Sequence, residues 1–447
     1  MYFQNLYNKI ILPCNPKYDS ARQIFNRSIQ KYPAVIVYCE NNSDVVEAIL
    51  LAQRHDLTVR IRSGGHNYEG FCVGNGVLVI DTSLLKSREI DEECHTLRIG
   101  SGVNNHELYE FLGKHGYPFP SGTCPNVGAV GLTQGGGWGH SARMFGLACD
   151  HLLEAEIVDA RGSVTTMNNT CHKNLFWAIR GGGGGNFGVV TSLKYSLPPK
   201  IFDVTYVDLQ YSKINKKLAE HFLNTWQKWL VITDNRFTPN SRIFNSAENG
   251  MGIFLRGFYY GNQEEAEEAV QPFLNICGVE ASFKEVSFLK ATRIDASFYP
   301  QFENFDFAGR FAYGKFSKNQ IKQIVDLIET RAVGSTFASV ALYALGGAVR
   351  NVVPQDTAFF YRNADYIIGI ETVWELPEVK STNRAWLLDR FEFLQSITHG
   401  SYINFPYLCT DDYMKAYYGQ NADRLMSVKK QYDPCNLFHF PQSIPLD

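Results

Sequence analysis

The stretch RSGGHNYEG at residues 62–70 closes a pattern of strand, helix and strand. AVIVYC at 34–39 is rich in β-branched residues, and VVEAILLAQRH at 45–55 follows polar residues 42–44 that are typical of a helix N-cap. LTVRIR at 57–62 then resumes the alternation of polar and apolar residues. The pattern predicts a βαβ-type unit that ends in a glycine-rich turn, where backbone N–H groups can approach a bound group closely.

Two further glycine-rich stretches follow this turn. SGTCPNVGAVGLTQGGGWG at 121–139 lies between a helix-like segment and an apolar strand-like segment. Five consecutive glycines at 181–185 precede the strand-like VVTSLKYSL at 189–197. A glycine run is compatible with a flexible linker, but the strand directly behind this one favours close approach of a cofactor to the backbone.

Two nucleotide-binding signatures are present only in form. Gly183, Gly185 and Gly188 have the spacing G-x-G-x-x-G, but here a helix-like segment precedes the glycines and a strand follows, which reverses the Rossmann order. Residues 309–315 resemble the start of a Walker A loop, yet Phe316 stands where a magnesium-binding Ser or Thr is required. We therefore predict neither a Rossmann domain nor an NTPase.

The composition is that of a globular protein of two or three domains, with 447 residues, 45% hydrophobic and 19% charged. A net charge of −3 gives no electrostatic footprint for nucleic acid or an anionic membrane, and no apolar run reaches the roughly 18 residues of a membrane span. The ten cysteines are scattered singly, so neither a disulfide framework nor a metal site is predicted. The N-terminus lacks a secretory signal, and we expect a cytoplasmic protein.

The chain is expected to divide at Pro198-Pro199, because the glycine clusters end there and amphipathic helix and strand patterns alternate beyond it. We expect a first domain at 1–198, a second at 199–399 and a segment at 400–447 that returns to the first. The fold class is α+β. The elements expected after the boundary are helices at 214–232, 316–332 and 421–431 and strands at 252–260, 338–344 and 366–374.

These motifs resemble those of the berberine bridge enzyme-like flavin oxidoreductases, a group within the vanillyl-alcohol oxidase or PCMH-type superfamily. Residues 62–70 are similar to the family loop whose His is bonded to the flavin 8α-methyl, and residues 122–128 to the loop whose Cys is bonded to flavin C6. The resemblance is weak between about residues 200 and 400. Further matches are residues 135–139, 145–150, 177–191 and 432–438.

The resemblance implies a two-domain PCMH-type FAD-binding fold, with a substrate domain built on an antiparallel sheet flanked by helices. It also implies FAD attached covalently to both His66 and Cys124. Alone, His66 would be a turn residue with local hydrogen bonds and Cys124 a buried inert thiol, but their occurrence with the other motifs favours attachment. The glycine loops suit a pyrophosphate, because successive backbone N–H groups bind it without a lysine. The residues expected to contact FAD are Arg62, Ser63, Gly64, Gly65, His66, Asn67, Tyr68, Gly122, Cys124, Val127, Gly128, Gly131, Thr133, Gly136, Gly137, Trp138, Val190 and Asn436.

On the substrate side, Tyr402 matches a family Tyr that faces the substrate, and we expect it to be the catalytic base. The family stretch F-P-H-R reads FFYR at 359–362, so Tyr361 replaces the His. The family position for Gln or Glu is Gly369, and Glu371 shares its strand face two residues on. Tyr402, Glu371 and Tyr361 are therefore the catalytic candidates. The alternatives are that Glu371 is a solvated or ion-paired strand residue and that Tyr402 only packs beside the flavin.

A Tyr with an ordinary pKa near 10 is a weak base at neutral pH. Tyr402 would therefore need a cation that stabilises its phenolate, with Lys315 or Arg362 conceivable, or would act in concert with hydride loss.

The expected activity is oxidation of an alcohol, a sugar hydroxyl or an amine-bearing carbon by hydride transfer to flavin N5, with O₂ as acceptor. In the family, the residue three after the flavin-linked Cys borders the space where O₂ meets the reduced flavin. Here it is Val127, which is shorter than Leu and stiff at χ1 and keeps that space open. Two alternatives stay open: a dehydrogenase with another acceptor, and a degenerate flavin-containing structural protein, which the departure at Gly369 motivates.

Overall fold

A computed structural model of the chain describes residues 6–447. The first sheet consists of β1 (Ile10–Ile11), β2 (Val35–Tyr38), β3 (Val59–Arg62) and β4 (Leu78–Asp81), with the helices α1 (Tyr18–Ala21) and α2 (Asn42–Arg54). The strand order is β1-β2-β4-β3, with β1 antiparallel and the other strands parallel. The βαβ unit predicted over 34–62 is confirmed, and the side chain of Asn41 caps α2 by accepting a bond from the Asp44 N–H.

The second sheet is antiparallel, in the order β5-β6-β9-β7-β8. Its strands are β5 (Arg88–Asp91), β6 (Thr96–Gly100), β7 (Leu152–Val158), β8 (Val164–Asn168) and β9 (Val189–Ser196), with the helices α3 (Asn105–Gly113), α4 (Ala129–Gln134), α5 (Ala142–Phe145) and α6 (Lys173–Ala178). The glycines at 181–188 lie between α6 and β9. This order of helix before strand confirms that they do not form a Rossmann motif.

The third sheet has eight antiparallel strands, in the order β13-β10-β12-β11-β15-β16-β14-β17. Its strands are β10 (Asp203–Tyr211), β11 (Asn240–Ser246), β12 (Gly250–Tyr259), β13 (Val279–Ser287), β14 (Asn304–Ala312), β15 (Ser335–Ala344), β16 (Tyr366–Trp374) and β17 (His399–Ser401). Its helices are α7 (Lys216–Trp229), α8 (Gln263–Ala269), α9 (Gln271–Leu274), α10 (Phe288–Ala296), α11 (Lys318–Asp326) and α12 (Lys380–Ile397). The elements predicted in this part of the chain are confirmed, and Gly309 lies inside β14 instead of a phosphate-binding loop.

The helices α7, α11 and α12 cover one face of the large sheet. Trp226, Ile324 and Leu387 from these helices are fully buried in one core cluster with Val340 and Ile368 from the central strands. Because side chains alternate along a strand, residues one position away point to the opposite face. That face is turned toward the glycine-rich loops of the first two sheets and forms one wall of the cavity described below.

The C-terminal tail carries α13 (Tyr413–Tyr418) and α14 (Ala422–Tyr432). Leu425, Val428 and Ile444 from this tail pack in one core cluster with Phe176 and Leu193 of the second sheet region. This packing agrees with the expected return of the tail. The domain limits at 198 and 399 stay a prediction, and β17 lies across the second of them.

The longest helix, α12, has 18 residues and carries charged side chains along its length. Among residues 6–447, no helix has both the length and the apolar character that crossing a membrane requires. In the same part of the chain, no group of three or more His, Cys, Asp or Glu side chains is arranged to hold a metal ion.

Candidate active site

A cavity of about 650 Å³ lies where the glycine-rich loops meet the open face of the eight-stranded sheet. A volume of this size is typical of sites for cofactors and small-molecule substrates. The sequence-predicted residues that line it are Ser63, Gly64, Gly65, His66, Asn67, Tyr68, Gly122, Cys124, Val127, Gly128, Gly131, Trp138, Val190, Glu371 and Tyr402.

The two loops predicted to attach FAD pack directly against each other. A Cβ at Gly64 would lie 2.3 Å from the backbone nitrogen of Gly128, and a Cβ at Gly128 would lie 2.4 Å from the hydroxyl of Ser63. Any other residue at either position would push the loops apart. The glycines therefore bring the loop of His66 and the loop of Cys124 together on one wall of the cavity.

The imidazole of His66 stacks on the ring of Phe25, with centroids 4.2 Å apart and planes at 23°. Burial lowers the pKa of His66 to about 4, so the ring is neutral at neutral pH. A neutral imidazole keeps a lone pair on one ring nitrogen. His66 therefore presents a nucleophilic nitrogen in a fixed, buried orientation.

The loop of Cys124 is held by side chains and backbone from two other segments. Asn105 donates from its side-chain amide to the Cys124 carbonyl and from its backbone to the Val127 carbonyl, both at 2.9 Å. Tyr299, after α10, donates its hydroxyl to the Thr123 hydroxyl at 2.7 Å. Burial raises the pKa of the Cys124 thiol to about 12, so the thiol is protonated until a base removes its proton.

The phenol oxygen of Tyr402 is surrounded by hydrogen-bond donors. The backbone N–H groups of Gly137 and Trp138 donate to it at 3.0 and 3.2 Å, and the Asn404 amide donates at 2.9 Å. The same Asn404 nitrogen also donates to the Leu132 carbonyl at 2.8 Å, which fixes its orientation. Burial raises the pKa of Tyr402 to about 12, and the three donors act in the opposite direction.

The wall formed by the large sheet carries a buried ion pair. Arg242 on β11 donates from Nε to the Glu371 carboxylate on β16 at 3.0 Å and from Nη2 to the Tyr343 hydroxyl at 3.1 Å. Ser339 donates to the same Glu371 oxygen at 2.8 Å. Glu371 therefore faces the cavity, and its charge is neutralised by Arg242.

Comparison with known proteins identifies the family. A family described as "FAD binding domain" matches residues 33–168, and a family described as "berberine and berberine like" matches residues 401–445. The FAD-linked oxidoreductase YgaK of Bacillus subtilis is 34% identical over 98% of this chain and 97% of its own length. This chain belongs to the berberine bridge enzyme-like FAD-linked oxidoreductases. As a member of that family, it is an oxidoreductase with an FAD-binding domain.

Other members of the berberine bridge enzyme-like family agree with this assignment. The solved structure of Physcomitrella patens BBE-like 1 superposes with a TM-score of 0.90 at 26% identity, covering 98% of this chain and 97% of that one. The xylooligosaccharide oxidase of Thermothelomyces thermophilus is 27% identical over 94% of this chain and 88% of its own length. The predicted α+β fold of the PCMH type is confirmed.

The residues present fit FAD. None of the backbone hydrogen bonds among the described residues is donated by Gly64, Gly65, His66 or Asn67, so four successive N–H groups are free beside the cavity. Gly65 has a φ of +68°, a left-handed conformation that helps successive N–H groups converge on an anion. The buried hydroxyl of Ser101, also in the lining, has no partner among the described residues. These donors suit the pyrophosphate of FAD.

Five of the residues predicted to contact FAD lie outside the cavity lining. Arg62 is buried in an ion pair with Asp81. The hydroxyl of Thr133 forms hydrogen bonds with the Ala129 carbonyl of its own helix at 2.9 Å and with the Tyr195 hydroxyl of the second sheet at 3.0 Å. The remaining three residues act through their backbone. The Gly136 carbonyl accepts from the Cys149 N–H, the Gly137 N–H donates to the Tyr402 hydroxyl, and Asn436 turns the tail with a φ of +51°. These residues support the site from behind.

Tyr361 is not in the cavity lining, which corrects its assignment as a catalytic candidate. Its hydroxyl donates to the Lys415 carbonyl at 2.7 Å, and its ring stacks on Phe311. The cause is the next residue: Arg362 bonds both oxygens of Asp150, at 2.7 and 2.8 Å, and this fixes the turn. Arg362 is thereby committed, and neither it nor Lys315 lines the cavity.

The sequence did not reveal the polar residues that the large sheet contributes. Arg242 and Asn240 on β11, Arg256 on β12 and Glu303 before β14 all line the cavity. β11 reads NSRIFNS, which has no strict alternation of polar and apolar residues, so periodicity alone could not place these residues on one face. Which face, and opposite which strand, depends on the sheet order.

Proposed function

We propose that this chain is an oxidase that carries FAD on two covalent bonds, to His66 and Cys124, and oxidises an alcohol, a sugar hydroxyl or an amine-bearing carbon with O₂ as the acceptor. The observation that carries the proposal is that His66, Cys124 and Tyr402 line one cavity. FAD, when bound there, supplies the acceptor for the hydride of the substrate carbon and returns the electrons to O₂.

Tyr402 is proposed as the base that takes the proton from the substrate hydroxyl or amine. A neutral phenol oxygen carries its own hydrogen and has room for two donors, whereas the Tyr402 oxygen is approached by three N–H groups. Three donors therefore suit a phenolate better than a phenol. The site resembles the donor arrangements that stabilise developing oxyanions in other enzymes.

The three N–H donors take the place of the cation that we expected beside Tyr402 from the sequence. Arg362 is committed to Asp150, and Arg242 is committed to Glu371 and Tyr343. The neutral donors lower the pKa of Tyr402 without adding a charge, while burial raises it. At pH 7 Tyr402 is therefore mostly a neutral phenol, and its small phenolate fraction is the form that takes the proton from the substrate.

Two further observations support the oxidase and its substrate class. Val127 lines the cavity three residues after Cys124, where a short side chain leaves room for O₂. A relative of 27% identity is named a xylooligosaccharide oxidase, which favours a hydroxyl-bearing substrate. Polar and aromatic side chains of the large sheet, among them Arg242, Glu371 and Tyr343, would contact such a substrate.

The purified, full-length protein provides the test. It should stay yellow after acid precipitation, and anaerobic addition of a panel of sugars, alcohols and amines should bleach the flavin with at least one member. Admission of air should restore the colour and produce hydrogen peroxide. A yellow colour that returns only when a quinone is added would favour the dehydrogenase. A yellow protein that no member of the panel bleaches would favour the degenerate structural protein.

A further inference from the structure

The side-chain amide of Asn240 has no partner although it lies deep in the protein. Asn240 is 3% exposed, it lines the cavity, and its Oδ1 is buried without a hydrogen-bond donor among the described residues. A buried amide without a partner costs stability, so protein interiors seldom retain one without a reason. Because Asn240 lines the cavity, its acceptor can be satisfied when a ligand brings an O–H or N–H group to this wall.

Arg242 lies two residues further along β11, on the same face of the sheet. Its Nε and Nη2 have partners in Glu371 and Tyr343, whereas its Nη1 has no acceptor among the described residues. The opposite strand β12 adds Arg256, which pairs with Asn240 in register and lines the same cavity. This wall of the cavity therefore offers a hydrogen-bond acceptor that has no donor, next to hydrogen-bond donors that have no acceptor.

The charges on this wall favour a neutral ligand. Glu371 neutralises Arg242 at 3.0 Å, and Asp208 neutralises Arg256 at 2.9 Å. A ligand carboxylate would leave the Asn240 acceptor without a donor and would approach the Glu371 carboxylate. A ligand ammonium would satisfy Asn240 but would approach the two guanidinium groups. Hydroxyl groups both donate and accept, so they satisfy Asn240 and Arg242 together without adding a charge.

We propose that Asn240 and Arg242 form a specificity site that binds vicinal hydroxyl groups of a neutral, polyhydroxylated substrate, away from the carbon that is oxidised. The proposal rests on the proposed function, because it assigns part of the same cavity to the substrate. It deepens that function by naming the substrate class and the residues that select it. Arg242 is held in place by Glu371, and Asn240 is the residue whose hydrogen bond is formed only with substrate.

The first test is Asn240→Leu, which removes the amide and keeps a similar volume. Since the amide is unpaired without substrate, its loss should leave the melting temperature unchanged or higher. The variant should keep its covalent flavin and its flavin absorption spectrum, while KM for the best neutral substrate rises about tenfold or more and kcat changes little. Gln395→Leu is the control, because this half-buried amide on α12 lies outside the cavity lining and donates to Asp411, far along the chain from β11 and β12.

The second test compares D-glucose, D-glucuronic acid and D-glucosamine, which differ mainly in charge. Their dissociation constants are measured from difference spectra of the oxidised flavin. D-Glucose should bind most tightly to the wild type. Glu371→Gln removes the charge that neutralises Arg242, and it should improve the binding of D-glucuronic acid relative to D-glucose by about tenfold.

Several results would overturn the proposal. These are an unchanged KM in Asn240→Leu, a lower melting temperature of that variant, a loss of its covalent flavin, or equal or tighter binding of a charged sugar to the wild type. Failure of the proposed function is distinct from these. If no compound reduces the flavin but D-glucose binds and loses affinity in Asn240→Leu, the specificity site stands and the oxidase assignment fails.

Discussion

The ring of Phe307 lies over Gly369, so that a Cβ at Gly369 would be only 2.2 Å from the ring's outermost carbon, Cζ. Phe307 on β14 is paired in register with Glu371 on β16, and Gly369 is paired with Gly309. Two facing glycines thus create the space that the aromatic ring fills. At Gly369, where the resemblance places a family Gln or Glu, the space for a side chain is therefore occupied by a ring from the neighbouring strand.

Restoring the family side chain by Gly369→Gln should destabilise the protein. The new side chain would overlap the Phe307 ring, and overpacking of this kind typically costs about 1 to 3 kcal/mol. The free energy of unfolding, measured with urea, gives the size of the effect. In a Phe307→Ala background the same change should cost clearly less. Equal costs in both backgrounds would show that the ring is not what excludes the side chain.

Much of the fold and of the candidate site could be predicted from the sequence, because the signals come from residues that are close together in the chain. The glycine loops of His66 and Cys124 depend on residues adjacent in the chain, and the helices of the large sheet follow from the 3.6-residue spacing of residues such as Trp226. The ion pair of Arg242 and Glu371 could not be predicted, because 129 positions separate the two residues and only the strand order brings them together. The orientation of Tyr361 depends in the same way on Asp150, which is distant in sequence.

The two proposed tethers can be tested separately. His66→Ala and Cys124→Ala should each retain covalent FAD through the remaining bond, and only the double variant should release flavin on denaturation. The intact mass of the denatured proteins measures this directly. A wild type without the added mass of FAD would contradict both tethers. If one single variant releases its flavin, the residue replaced in that variant carries the only covalent bond.

Lys429 is expected to secure the tail against the glycine loop of the first domain. Its ammonium is fully buried and donates to the Asn186 carbonyl at 2.7 Å, the Phe438 carbonyl at 2.6 Å and the Asp433 carboxylate at 2.7 Å. Lys429→Met leaves Asp433 as a buried charge without its partner and should cost about 3 to 5 kcal/mol. Thermal and urea unfolding measure the loss. Adding Asp433→Asn should recover part of it, and strictly additive costs would argue against a coupled pair.

The rate of flavin reduction should depend on pH through Tyr402. Burial raises the pKa of Tyr402 to about 12, so the phenol is neutral across the usual range and the phenolate fraction grows by about tenfold per pH unit below that value. Reduction of the wild type in anaerobic stopped-flow should therefore accelerate from pH 6 to pH 9. Tyr402→Phe should keep the covalent flavin, react at least about 100-fold more slowly and lose this pH dependence. A variant with the wild-type rate would assign Tyr402 to packing.

The reaction with O₂ should depend on the size of residue 127. Val127 lines the cavity, its backbone is fixed by the bond from Asn105, and its χ1 is restricted by the β-branch. Val127→Leu places an additional carbon further from the backbone, toward the space beside the flavin, and should slow the reaction of the reduced flavin with O₂ while leaving its reduction by substrate nearly unchanged. The two half-reactions are separated by reducing the flavin anaerobically and then mixing it with oxygenated buffer. Val127→Ala is the control in the opposite direction, since it widens the same space and should keep the reaction fast. Slow reoxidation of the wild type, or no loss of rate in the Leu variant, would favour the dehydrogenase.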